Sequence, residues 1–177
     1  KDIYKEFVKQ YFLINNDIEN YIPTYITKLY INSQEYVSEK YEVNFVYNPF
    51  YKEYLAMVGY GIEFEYNGGV KDYMQREIIT NYLNGTYNIN DSQNKTTYTI
   101  GTNNYEIYFP QDSKSGVKTG YYFKRNNNKL NISVAQPPLY YGSTGATYFY
   151  YLKLSDWADL MNCNYDIKDN SVYLTSK

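Results

Sequence analysis

The chain of 177 residues sets 17 Lys and Arg against 19 Asp and Glu, a net charge of −2, and so lacks the basic footprint that nucleic-acid binding requires. It contains no His, which removes Ser-His-Asp and Cys-His nucleophiles, imidazole metal sites and histidine acid–base catalysis. Its one Cys excludes an internal disulfide, and no apolar run approaches the ~20 residues that cross a bilayer.

A chain this long suits one or two small domains and buries roughly 70% of its extended surface. Its 27 Tyr are too many to bury in a domain of this size, so several face solvent. Low-GC codon usage is one source of that excess. A recognition surface is the other, because tyrosine is a large, stiff, amphipathic contact residue.

Residues 1–20 carry Ile3, Phe7, Tyr11, Ile14 and Ile18 on one helical stripe, without the basic excess of a membrane-binding helix. Pro23 ends it. From Tyr25 the apolar period becomes two, with a turn at Asn32-Ser33 and extended runs over 41–47 and 54–66, broken at Asn48-Pro49. Asn67-Gly68-Gly69 is a strong turn signal, and the region reads as a β-meander. Glu63 and Glu65 share one face of that last run and read as a solvated face rather than a glycosidase acid pair.

A helix followed by a hairpin is expected over 73–100, and again at the end of the chain. There Leu154, Trp157, Ala158 and Met161 keep helical spacing, Ser155 can cap the helix, and Asp156 and Asp159 suit its first turn. Asn162 fits a left-handed helix exit. Tyr165 and Ile167 alternate with Asp166 and Lys168 as on a half-buried strand, Asp169-Asn170 turns, and Val172 and Leu174 resume the alternation. The two stretches align at a constant offset of 78 residues, pairing Asn84 with Asn162, Tyr87 with Tyr165 and Ile89 with Ile167. A period this long reads as a duplicated domain.

Between them, 105–109 reads as a strand, 111–116 as a polar loop, and 121–125 with 129–134 as a hairpin across Asn126-Asn127-Asn128. Pro137-Pro138 stops strand pairing, and residues 142–145 form a flexible loop. Cys163, just past a helix end and with no basic partner, reads as a small, partly buried residue. Neither a calcium loop nor a phosphate-binding loop is present. Sequons at Asn84, Asn94 and Asn131 are of the kind that recurs by chance in Asn-rich chains.

The run Leu152-Lys153-Leu154-Ser155-Asp156-Trp157-Ala158, followed by Leu160-Met161-Asn162 and Tyr165-Asp166-Ile167-Lys168-Asp169, resembles the copper amine oxidase N-terminal-like (stalk) domain. Lys153, Ser155, Asn162 and Ile167 stand where that family has Pro, Arg, Gly and Trp. The resemblance implies an α+β fold of two similar halves, each a twisted antiparallel sheet curled around one short helix, behind the N-terminal amphipathic helix. The expected boundaries are 1–25 for that helix, 26–101 for the first unit and 102–177 for the second. It also implies a stalk without the enzyme, because the copper and quinone belong to a separate, histidine-bearing domain; no metal or cofactor is expected.

The functional expectation is a non-catalytic module of a bacterial secreted or cell-surface protein, acting as a spacer or binding cell-wall polysaccharide or a surface protein. Lys1 is not a natural start, so an export signal is read as having been removed. Tyr140, Tyr141 and Tyr148, beside the Pro-Pro and Gly-rich loops, are the candidate ligand-binding residues. The alternatives are a carboxylate-based hydrolase and a self-assembling surface-layer or filament subunit; the oligomeric state is left open.

Overall fold

The computed structural model describes residues 25–41, 43–62, 73–90, 95–108, 121–134, 140–142 and 145–177. The expected helix over residues 1–20, the Glu63/Glu65 pair, the Asn67-Gly68-Gly69 turn and the 111–116 loop lie outside the described residues.

Within them the fold is α+β and dominated by sheet. In chain order the elements are β1 (Tyr25–Ile26), β2 (Leu29–Ile31), β3 (Gln34–Glu35), β4 (Phe45–Asn48), β5 (Glu53–Ile62), α1 (Tyr73–Asn81), β6 (Thr86–Asn90) and β7 (Lys95–Ile100). They continue as β8 (Asn103–Tyr108), β9 (Tyr122–Arg125), β10 (Asn128–Leu130), β11 (Tyr140–Gly142), β12 (Gly145–Lys153), α2 (Leu154–Leu160), β13 (Cys163–Lys168) and β14 (Ser171–Ser176).

Three sheets result: β1-β4-β5-β12-β11, then the meander β10-β9-β8-β7-β6, then β13-β14-β2-β3. The β14–β2 pairing is parallel, aligning Val172 with Leu29 and Leu174 with Ile31. Each sheet draws strands from both sides of residue 101. The expected boundary between 101 and 102 falls inside the two-residue turn that joins β7 to β8, so the sheets do not divide there. The expected meander of the first stretch is likewise split, because β2 and β3 leave it for the third sheet.

The turns follow from residues that tolerate a positive φ. Asn32-Ser33 (49° and 68°), Asn126-Asn127 (50° and 66°) and Asp169-Asn170 (51° and 57°) have the two successive positive values of type I′ hairpins. Gly101 (φ 59°) takes the first position of the β7–β8 turn, where a side chain would be strained. Asn84 and Asn162 leave the two helices at φ 52° and 55°. Gly85 follows α1 because a Cβ there would stand 2.6 Å from the Thr99 carbonyl oxygen on β7.

One hydrophobic cluster unites the three sheets and both helices. Trp157 on α2 is its largest fully buried side chain, edge-on to Phe45 of β4 with ring centroids 5.5 Å apart. The indole N–H donates to Oε1 of buried Gln75 on α1 at 2.6 Å, so the two helices share a satisfied polar contact inside the core. Tyr98 and Tyr105 of the meander donate their hydroxyls to the carbonyls of Leu160 and Asp159, at 2.8 and 3.4 Å. Arg125 and Lys177 both reach Asp159 Oδ1 at 2.9 Å.

Three local expectations at α2 are corrected. Ser155 is not the cap: Lys153 holds that position without a side-chain bond, and the Ser155 backbone N–H instead donates to Glu53 Oε1 on β5 at 2.7 Å. The helix is thus capped by a carboxylate from another element. Asp159 lies beyond the first turn, which holds only Asp156. Tyr165 and Ile167 are 40% and 38% exposed rather than half-buried. Their partners Leu174 and Val172 are buried. Past the buried Cys163 the core stops under β14, and β13 is the sheet's edge.

Candidate binding face

The meander's strands alternate, and that alternation builds a polar outer face. On β7, Thr96, Tyr98 and Ile100 are buried while Lys95, Thr97 and Thr99 are half-exposed. Antiparallel register then aligns like positions across the sheet. One row runs Thr86–Thr99–Asn104, the next Asn88–Thr97–Glu106–Lys124, and the third Asn90–Lys95–Tyr108–Tyr122. The first two rows and the Asn126-Asn127 turn line a groove of about 510 Å³.

The groove's side chains are held by the face itself. Thr86 and Thr99 share a hydroxyl–hydroxyl bond of 2.5 Å. Asn126 accepts from the Asn104 backbone N–H at 2.8 Å and donates its own N–H to the Asn104 carbonyl at 2.7 Å. In the third row the Tyr108 and Tyr122 rings stack with centroids 5.0 Å apart. The Tyr122 hydroxyl donates to Glu106 Oε1 at 2.5 Å, Lys95 lies 3.4 Å from the same oxygen, and Lys124 sits 4.6 Å from the centroid of the Tyr122 ring.

These contacts fix the protonation states. The Tyr122 hydrogen bond, joined by Lys95, holds the Glu106 carboxyl below the usual carboxylate range despite partial burial. The same bond pushes the Tyr122 phenol up to about 12, so it stays a neutral donor. Among the described residues that line the groove, Glu106 is the only carboxylate. Among the described residues, two facing acids of the kind that hydrolyse a glycoside are not brought together in the groove. Among the described residues no group of three or more His, Cys, Asp or Glu stands close enough to hold a metal ion.

Other acids singled out from the sequence are engaged elsewhere. Burial raises the Asp156 pKa. Burial also acts to raise Asp159, but hydrogen bonds from Lys177 and Arg125 outweigh it and leave that carboxyl below its ordinary value. Cys163 is buried, its thiol directed at the Met161 carbonyl (3.2 Å) and pushed by burial up to about 11, which makes it a poor nucleophile.

Tyr140 and Tyr141 lie on β11 and Tyr148 on β12, in the first sheet; none belongs to the strands that line the groove. Backbone pairing sets Tyr140 opposite Thr147 and Tyr148 opposite Gly61. The groove residues were not singled out from the sequence. The available signal was the run Lys95-Thr96-Thr97-Tyr98-Thr99-Ile100, in which hydroxyls alternate with buried Tyr and Ile.

No protein-family model, curated protein or solved structure matches the chain.

Proposed function

We propose that this chain is a non-catalytic module of a bacterial secreted or cell-surface protein, a stalk-like unit that presents the outer face of the meander to a cell-wall polysaccharide or a surface protein. The observation that carries the reading is the groove: hydroxyl and amide groups fixed on a rigid sheet, with their one carboxylate tied to a phenol and an ammonium. Such a face recognises without supplying an acid–base pair. The helix–hairpin correspondence at an offset of 78 residues belongs to the same reading, as two stalk-like units whose strands have merged into common sheets.

The test is a binding screen of the 177-residue chain against peptidoglycan, wall polysaccharides and surface proteins, with reducing-end release followed in parallel. Saturable binding without release supports the reading; turnover of any bound glycan defeats it. Tyr140→Ala and Tyr141→Ala in the same screen ask whether the first sheet contributes. A self-assembling subunit is the second reading, favoured by the exposed edge strand β13 with its apolar Tyr165 and Ile167. It requires a mass that grows with concentration in light scattering.

A further inference from the structure

We infer that the groove takes an uncharged polysaccharide laid across the strands, and that the polymer runs on over the adjoining row, where Tyr108, backed by Tyr122, is the ring on which one sugar stacks. The inference rests on the binding-module reading and names the ligand class that reading leaves open.

Three observations lead to it. The first is shape. A row crossing four strands at ~4.8 Å spacing spans about 14 Å, and neighbouring rows lie about 7 Å apart. The lined volume of about 510 Å³ therefore suits an extended polymer more than a compact metabolite.

The second is the hydrogen-bonding inventory. Thr86, Asn88, Thr97, Thr99, Asn104 and Asn126 face the groove with hydroxyls and amides, each able to donate and to accept. Sugar hydroxyls have that same dual character. A peptide anchor needs an apolar pocket, and the two rows that line the groove, Thr86–Thr99–Asn104 and Asn88–Thr97–Glu106–Lys124, turn only polar side chains outward. An acidic polymer needs available cations. Here Lys95 is paired with Glu106, Lys124 lies over the Tyr122 ring, and the lining charges, Glu106 and Lys124, cancel.

The third is preorganisation. A pyranose has an apolar C–H face that packs on an aromatic ring. Tyr108 is held from one side by the Tyr122 ring, itself fixed through its hydroxyl to Glu106. The platform is set before any ligand arrives, which reduces the ordering cost of binding.

The experiment is affinity electrophoresis of the full chain in gels containing a neutral β-glucan or glycol chitin, beside gels containing polygalacturonate or polyglutamate. Retardation by a neutral polymer is expected, and by the acidic ones not. Thr97→Val with Thr99→Val keeps shape and strand preference while removing two hydroxyls, and should weaken retardation about tenfold or more, the factor that 1.4 kcal/mol represents. Tyr108→Ala should weaken it comparably and Tyr108→Phe should restore it; if Tyr108→Ala does not fold, the Val pair and the Phe variant still decide. Retardation by an acidic polymer alone, or capture of a protein alone, overturns this inference and leaves the binding module standing. Neutral-glycan binding that survives the Val pair and Tyr108→Ala overturns the placement. No binding to any probe overturns both readings.

Discussion

Twice this chain runs from a helix through a left-handed Asn into an antiparallel hairpin, and the two results differ in what surrounds them. After α1, the hairpin β6–β7 stands at the edge of the meander, and β7 pairs onward with β8, reached through a two-residue turn. After α2, β13–β14 stands at the edge of the third sheet, and β14 pairs onward with β2, a parallel neighbour from the start of the described residues. In the first hairpin Tyr87 stacks on Tyr98 at 5.8 Å and packs against the core. In the second the equivalent Tyr165 faces Leu174 and remains 40% exposed. The local sequence specifies the unit; what lies beneath it decides which face is buried.

The comparison breaks most completely at Trp157. Trp157→Ala removes the side chain that fixes α2 against Phe45 and α1, and should cost about 3–5 kcal/mol, the range for large core truncations. Chemical denaturation followed by fluorescence of the tyrosines would register it; a loss under 1 kcal/mol would mean that α2 is held mainly by its hairpin. Gln75→Leu tests the same joint from α1. The indole N–H loses its buried acceptor, for about 1–3 kcal/mol. A smaller loss would show that water replaces the amide.

Much of this was legible locally. Asn32-Ser33, Asp169-Asn170 and Asn162 announced themselves through tolerance of positive φ, and the structure narrows Asn126-Asn127-Asn128 to its first two residues. Alternation gave faces, but it does not name neighbours: nothing in Leu29–Ile31 or Ser171–Ser176 says that the two strands lie side by side and parallel. Ser155 failed as a cap because the helix begins one residue earlier, at Leu154, which puts Lys153 in the cap position, while Glu53, far away in sequence, accepts the Ser155 backbone N–H. The groove was hidden for a related reason. Thr97 and Thr99 look like any solvated strand face until Asn88, Asn104 and Asn126 are brought beside them by pairing.

Finer contrasts separate the two helix exits. Asn162→Gly keeps the backbone relaxed but loses the bond from Asn103 Nδ2, 3.0 Å to the Asn162 carbonyl oxygen of the side chain, and should cost about 1 kcal/mol. Asn84→Gly relieves a left-handed Asn at some entropic cost, and a net change within about 0.5 kcal/mol is expected. Equal losses at both sites would mean the Asn103 contact contributes nothing. The pH response is also lopsided. Asp159 is depressed in the folded state, so its contribution is present above the unfolded carboxylate value of about 4 and is lost as pH falls through the lower folded value. In thermal melts between pH 6 and pH 2.5, Asp159→Asn should start lower and fall less than the parent.

The smallest stability effect belongs to the exposed edge, and there the sign of a second measurement matters more than the size of the first. Tyr165 and Ile167 sit on the same face as Leu174 and Val172 but beyond the reach of the core, so Ile167→Thr should change stability by no more than about 0.5 kcal/mol. If β13 were a docking edge for a second copy, two antiparallel β13 strands centred on Ile167 would set Asp166 opposite Lys168 twice over. Ile167→Pro would then abolish a concentration-dependent mass, because proline removes a ladder donor and distorts the strand. A chain that scatters as a monomer at every concentration leaves the edge as an ordinary solvated rim, with Asp166 and Lys168 serving to keep other strands away.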